Sequence, residues 1–284
     1  MELFFVIVLR HLRPMQRDCK DILRKFNPNL KGLSHTVPRE IHGFNVALSG
    51  SNSSQMPDQA TALIEEYQKQ GEDYFKSWKL IFIFVGNNDL GNTLCLQTFR
   101  FKNQLFLGNQ RYPTTKEDYK SYLEESITIL RKLPKTIIAL IPMWDPHLAM
   151  EAEFLIAKQN AVCWTDKVNA RLRKEISRQY AEVAYEIQNE RKFDSKNFTV
   201  VVQGFMDKLL EPVKEKSGEY NKNFYAHDLF HLSKYGNAVM ALHLWNCLLE
   251  PVGKKNQRAD LSNDYYALQC PKQPQPYIRT LGNS

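Results

Sequence analysis

Three stretches of the chain are apolar at nearly every position: WKLIFIFVG (78–86), TIIALIPM (136–143) and FTVVVQGF (198–205). Strands buried on one face alternate apolar with polar residues, whereas strands covered on both faces do not, so these three read as interior strands of a parallel sheet. GFNVALSG (43–50) is a fourth apolar stretch, closing on glycine, and predicts a strand that feeds a turn. At the start of the chain, LFFVIVL (3–9) is apolar for seven residues. That is far too short to span a bilayer and lacks the preceding basic residue of a secretory leader. It leaves two readings open, a clipped leader or a buried strand.

Between these stretches the period changes to that of a helix. A helical pattern covers 16–26 and ends at NPNLKG. Pro57 opens a second helix, where its missing N–H costs nothing, and Ala60, Leu63, Ile64 and Tyr67 follow as its core stripe. Thr114 with Glu117 makes a capping-box start for a third, whose inner face is Tyr119, Leu123, Ile127 and Leu130, broken near Pro134. A long pattern runs over 151–187 with Ala161, Trp164, Val168, Leu172 and Ile176 on one side. The last covers 234–249 and presents Val239, Leu242, Trp245 and Leu249. Strands alternating with helices predict an α/β fold, a three-layer α/β/α sandwich on a mainly parallel, doubly wound sheet, with chemistry at the carboxyl ends of the strands.

Composition agrees with one globular unit. Of 284 residues, 43% are hydrophobic and 12% aromatic, with no internal repeat or low-complexity tract. The formal charge of +7, from 38 Lys and Arg against 31 Asp and Glu, is spread along the chain. Its densest group, Arg171, Arg173, Lys174 and Arg178, is interleaved with apolar residues at helical spacing and reads as a solvated helix face, with attraction to anionic lipid the sharper alternative. No nucleic-acid signature accompanies the charge, and nucleic acid is not an expected partner. Five cysteines (Cys19, Cys95, Cys163, Cys247, Cys270) are too scattered for a metal site and leave room for one or two disulfides in a secreted protein. Two sequons, at Asn52 and Asn197, are compatible with secretion.

Candidate chemistry collects at the predicted strand ends. Gly50 closes one apolar stretch, and its bare backbone N–H can approach a ligand closely. Asn88, in GNND (86–89), follows a buried strand and can aim an amide into the same crevice. In HDLFH (227–231), Asp228 stands three residues before His231, a spacing that lets a carboxylate orient an imidazole. Two donors and an Asp–His pair are the equipment of acyl transfer: the donors stabilise an oxyanion while the histidine moves protons. His227 reads as a loop neighbour, His243 as a structural residue of the last helix, and Trp78 and Trp245 as core anchors.

The order Gly, then GxND, then DxxH before a terminal helix resembles the GDSL or SGNH hydrolases. DILRKFNPNLKG (21–32), FNVALSGSNSSQMPDQA (44–60), SWKLIFIFVGNNDL (77–90), DLFHLSKYGNAVMALHLWNCLLEPVGKK (228–255) and CPKQPQPYIRTLGNS (270–284) resemble their phospholipase B branch. The resemblance implies oxyanion donors at Gly50 and Asn88, a base at His231 and its partner at Asp228. It implies hydrolysis of carboxylic esters in phospholipids or lysophospholipids without a metal or cofactor, by a secreted or membrane-surface protein. It also implies a hydrolase domain over 21–255, an atypical N-terminus over 1–20 and a C-terminal extension, 256–284, packed on the same domain. The expected fold is that of the family, with the first strand missing or replaced by 3–9.

The family's nucleophilic serine lies in a GDSL block after the first strand. Nothing in 1–20 matches that block, and no serine precedes Ser34. HLRPMQRD (11–18) resembles a stretch that precedes the block in relatives, as though the sequence then skipped it. The branch also places a cysteine directly after NDL, where this chain has Gly91, which counts against the family disulfide near Cys95. Ser49, Ser51, Ser53 and Ser54 flank the donor turn, and Ser233 reads as the cap of the last helix, so no nucleophile is identified among them. The expectation is an ester hydrolase domain inactive as given, with a lipid- or partner-binding relative as the alternative.

Overall fold

The buried stretches become strands that stop where glycine and polar residues take over. The computed structural model describes residues 3–8, 19–32, 44–71, 76–98, 105–107, 110–112, 114–144, 167–209, 213–215, 217–227, 231–262, 266–274 and 276–284. In chain order these hold β1 (Leu3–Val8), α1 (Cys19–Phe26), α2 (Met56–Lys69), β2 (Trp78–Ile83), α3 (Asn87–Thr98), β3 (Leu105–Leu107) and β4 (Gln110–Tyr112). Then come α4 (Lys116–Leu130), β5 (Thr136–Leu140), α5 (Lys167–Asn189), β6 (Phe198–Val202) and α6 (Lys234–Leu249). Four strands form one sheet in the order β1-β2-β5-β6, parallel throughout, and β3 and β4 form a small antiparallel hairpin.

Each central strand feeds two cores. Ile81 and Ile83 of β2 point into one apolar cluster with α2, α4 and α5, while Leu80 and Phe82 point into a second with α1 and α6. Ile138 and Leu140 of β5 join the first cluster and Ile137 and Ala139 the second. This is the period-2 alternation of a sheet covered on both faces, and it makes the three-layer α/β/α sandwich expected from the apolar runs. Residues after α6 add to the second layer. Ala259 and Leu261 are buried there, Trp245 Nε1 donates to the Gln269 carbonyl (2.8 Å), and the Arg279 N–H donates to the Leu248 carbonyl (2.9 Å).

Of the two readings of 3–9, the structure realises the strand: β1 pairs in parallel with β2 from Leu3↔Trp78 to Val8↔Ile83, at the edge of the sheet. The stretch 43–50 does not form the predicted strand within its described residues, 44–50. Its Asn45 side chain accepts from the Ala47 N–H (3.1 Å), a local bond that takes a donor a ladder would need. Phe44, Val46 and Ala47 are buried all the same, which is why the run is apolar. Helix α4 starts one residue later than its predicted box: Thr115 accepts from the Asp118 N–H, and Asp118 reaches back to the Thr115 N–H. Thr114 is instead tied by its own backbone, its N–H to Thr93 Oγ1 (3.3 Å) and its carbonyl to the Tyr180 hydroxyl (2.9 Å).

The core stripes of α2 and α4 are buried as read, and Trp245 is 2% exposed. Ala161 and Trp164 lie outside the described residues, as do 16–18 of the first predicted helix. The basic group on α5 divides. Arg171, Lys174 and Arg178 are exposed, but Arg173 is buried at 4%. Arg178 pairs with Glu175 (2.6 Å) and with Glu182, and Lys116 and Lys120 of α4 pair with Glu186 at 2.6 and 3.1 Å. The α4–α5 surface is thus laced by charge and not uniformly basic. Helix α3 and the β3–β4 hairpin had no counterpart in the pattern, because α3 begins with polar residues and both hairpin strands are three residues long.

Candidate functional site

Two of the four residues singled out from the sequence meet at the carboxyl end of β2. Leu48–Ser51 is a four-residue turn, closed by the Ser51 N–H on the Leu48 carbonyl (3.4 Å). Gly50 occupies its third position with φ +76°, a backbone region that any side chain would strain. Asn88, in the first turn of α3, donates its side-chain amide to the Ser51 carbonyl (2.8 Å). One amide hydrogen of Asn88 is therefore used to hold the turn, and a second remains on the same nitrogen for another acceptor.

Asp89 is what the sequence reading missed. It is fully buried, and its carboxylate accepts from both the Ser53 N–H (2.9 Å) and the Ser53 hydroxyl (2.5 Å). Hydrogen bonds to a buried carboxylate are among the strong ones, so Asp89 fastens the segment after Gly50 to the start of α3. The segment is also stiffened from within. Asn52 accepts from the Ser54 N–H and hydroxyl, and its own N–H donates to Gln55 Oε1 (3.2 Å), capping the short 3₁₀ turn Ser53–Gln55 that leads into α2. The signal was present as a carboxylate directly after Asn88, in a motif read for its asparagine alone.

The same bonds account for three of the neighbouring serines. Ser51 Oγ donates to the Leu48 carbonyl (2.6 Å) and accepts from Gln59 Nε2 (3.1 Å). Ser53 is 0% exposed and Ser54 Oγ donates to Asn52 (2.7 Å). Ser233, as read, caps α6: its hydroxyl accepts from the Gly236 N–H (3.0 Å) and donates to the Asn223 carbonyl. The Asn52 sequon is likewise built into the fold, as a buried helix cap, whereas Asn197 is exposed before β6.

His231 sits in the connection that leaves β6, two residues before the Ser233 cap of α6, and is partly buried. Its carbonyl accepts from the Ala226 N–H (2.6 Å), Tyr225 and Leu232 form an antiparallel bridge, and the Ser233 N–H donates to the Phe224 carbonyl (3.0 Å). These bonds hold the backbone of 224–226 against that of 231–233, with His231 at the junction. Asp228 lies outside the described residues, so its spacing to His231 stands as read from the sequence. Gly236 lets this loop pack on α6: a Cβ there would lie 2.2 Å from the Phe224 carbonyl oxygen. Asn237, one residue on, donates to the Leu232 carbonyl (3.3 Å).

His227 is exposed in the loop. His243 is buried and donates from Nε2 to the Asp260 carbonyl (3.1 Å); desolvation holds its pKa below the usual histidine value. Asp207, beyond β6, accepts from the Tyr185 hydroxyl, and burial raises its carboxyl to about 6. Cys247 is a buried free thiol pushed up to about 12 by desolvation, and Cys270 is free and exposed. Among the described residues there is no group of three His, Cys, Asp or Glu that could hold a metal ion, and no helix long and apolar enough to cross a membrane.

A parallel α/β sandwich with a glycine turn, an asparagine at the next strand end and a DxxH before the last helix defines a class of hydrolase. Residues 13–244 match the profile of the GDSL-like lipase/acylhydrolase family, and the chain belongs to that family. It is similar to the membrane-associated phospholipase B1 of human, at 29% identity over 275 residues, which is 93% of this chain and 18% of that protein. The rat and mouse proteins of the same name match at 29% and 30% identity over the same 93% of this chain, again over 18% of their length. The chain thus spans about a fifth of the relatives it matches.

Proposed function

We propose that this domain is built to hydrolyse carboxylic esters of phospholipids or lysophospholipids at a membrane or extracellular surface, and that its nucleophile is not among the residues present here. The observation that carries the reading is the Leu48–Ser51 turn joined to Asn88 through the 2.8 Å amide–carbonyl bond. It ties Asn88 to the turn that carries Gly50, and a glycine N–H with a free asparagine amide hydrogen beside it would suit the oxyanion of a tetrahedral intermediate. His231 is the general base and Asp228 its orienting carboxylate. In the reaction a serine hydroxyl attacks the acyl carbonyl and its proton passes to His231. The tetrahedral intermediate collapses, and the leaving alcohol takes that proton. Water, deprotonated by the same imidazole, then releases the fatty acid and restores the serine.

Of the serines of the donor turn, Ser51, Ser53 and Ser54 spend their hydroxyls on the turn itself, and Ser233 spends its own on a helix cap. That observation also favours a second reading, a relative that binds lipid or a protein partner without turnover. A triad without its nucleophile loses on the order of 10⁶ in kcat in serine hydrolases, so the chain alone is expected to show no activity. The direct test offers the purified chain a short-chain ester and a lysophospholipid. No turnover is expected; turnover abolished by His231→Ala would overturn the assignment of an absent nucleophile. Transcripts that encode a strand ending in Gly-Asp-Ser ahead of residue 21 would restore the enzyme, and their absence would leave the binding protein.

A further inference from the structure

An oxyanion site fixes where the carbonyl of an ester sits, and the acyl chain must leave from that point across neighbouring surface. At this end of the sheet that surface is aromatic. Phe84, the first residue after β2, stacks on Trp144, the fourth after β5, with ring centroids 4.5 Å apart and an interplanar angle of 22°. Both are only partly buried. Phe84 packs against both apolar clusters and Trp144 against the second, so the stack caps the sheet where its two layers meet.

The stack is tied to the donor turn. Gly86, with φ +128°, stands between Phe84 and Asn88, and a Cβ on it would lie 3.2 Å from Met143 Sδ. The exit of β5 therefore packs directly on the GNND turn, with Trp144 the next residue along. Tyr119 holds this contact from below, its hydroxyl donating to the Val85 carbonyl (2.9 Å). Leu48 opens the donor turn with 48% of its surface exposed, one of the few large apolar residues left so open among those described. Surface leucines need no special reason singly, but this one lies in the turn that Asn88 holds, at the same end of the sheet as the half-open aromatic stack.

We infer that the Phe84–Trp144 stack and Leu48 form the acyl-chain subsite of this domain, the stack as its floor and Leu48 as its lip. The assignment rests on the proposed function for the position of the carbonyl, but not on turnover, since a bound fatty acyl chain leaves no trace of whether a nucleophile is present. Aromatic faces suit this task, as they bury large apolar area while losing little side-chain freedom.

The test is binding of dibromostearate below its aggregation limit, followed by tryptophan quenching in the intact chain. Wild type is expected to show saturable quenching that Trp144→Phe largely removes and Trp78→Phe leaves in place. Leu48→Ser, at an exposed position, is expected to weaken binding several-fold, and Phe84→Ala by about tenfold, the cost of exposing roughly 50 Å² of acyl surface again. Circular dichroism and thermal midpoints identify any variant that has lost its fold. Should Phe84→Ala prove unfolded, Trp144→Phe and Leu48→Ser still decide the matter. Quenching that survives Trp144→Phe, or affinity untouched by Leu48→Ser, places the chain elsewhere and overturns the subsite. Hydrolysis by the chain with unchanged fatty-acid binding in these variants would keep the esterase and discard the subsite. Quenching by the stack without any hydrolysis in a serine-restored chain would keep the subsite and discard the esterase.

Discussion

The donor turn and the histidine loop are held in place by opposite means. The turn at Gly50 is fastened by side chains: Asn88 on the Ser51 carbonyl, Asp89 on two Ser53 donors, and Asn52 on Ser54, with Ser53 and Asp89 entirely out of solvent. The loop at His231 is fastened by its backbone, through Ala226 to His231, the Tyr225–Leu232 bridge and Ser233 to Phe224, in a part of the molecule that water reaches. A donor must already point at the charge when it forms, and buried charged acceptors provide that rigidity. The base proposed at His231 has to exchange protons with substrate and water, and backbone bonds in a part of the molecule that water reaches suit that role. The difference predicts that the turn fails on the loss of a single side-chain hydrogen bond and the loop does not.

The largest effect is expected at Asp89. Asp89→Ala leaves the Ser53 N–H and hydroxyl unpaired in a site without solvent and should cost about 3–5 kcal/mol, enough to melt much of a marginal domain. Urea unfolding followed by circular dichroism measures it. Asp89→Asn keeps one acceptor and should recover part of the loss. A cost below about 1 kcal/mol would mean that the turn does not depend on its carboxylate. Gly236→Ala tests the backbone-held side at its tightest contact. The added methyl would meet the Phe224 carbonyl at 2.2 Å, so α6 and the loop must separate, at about 2–3 kcal/mol. Limited proteolysis between 224 and 233 should then accelerate ahead of global unfolding.

Asp207 sharpens the same contrast, because it is a partly buried carboxyl with one side-chain donor, Tyr185, where the fully buried Asp89 has two donors from Ser53. Desolvation raises it from 3.8 to about 6. The folded state thus holds this proton more tightly than the unfolded state. Its contribution to stability is full below pH ~4 and is lost as the pH rises through about 6. Asp207→Asn should therefore raise the melting temperature at pH 8 relative to pH 5, by the equivalent of about 1–3 kcal/mol. An unchanged pH dependence of the melting temperature would sink the assignment.

How much of this could be seen in the chain depends on the range of the interaction. The sheet was legible because Leu80, Ile81, Phe82 and Ile83 are all buried by nearest layers, and burial on two faces forces an unbroken apolar run. Asn88 was legible as a polar residue just after a buried strand, and the capped start of α6 at Ser233 as a local motif, whereas Gly50 was read as closing a strand that does not form. Asp89 was not, because its partner Ser53 is 36 residues away and a carboxylate after an asparagine looks like an ordinary helix start. The strand predicted at 43–50 failed for the reverse reason: its apolar residues are buried, but the Asn45 side chain supplies a local bond that apolar periodicity does not register.

The smallest effects divide the two regions most finely. Ser233→Ala removes the α6 cap and a bond to the Asn223 carbonyl, and caps of this kind are worth about 1 kcal/mol. The surrounding loop keeps its backbone bonds, so the loss should appear in stability while the hydrogen exchange of Ala226 and Ser233 stays slow. Gly50→Ala should cost a similar amount, about 1 kcal/mol, for a different reason. Nothing lies within 4 Å of an added Cβ, and the whole penalty is the left-handed backbone at φ +76°. Because that strain can be relieved only by rotating the peptide plane that carries the donor, Gly50→Ala should shift the amide resonances of residues 50 and 51 far more than its stability cost suggests. Equal and small shifts in the two variants would show that the turn is no more rigidly held than the loop, and the contrast between them would fall.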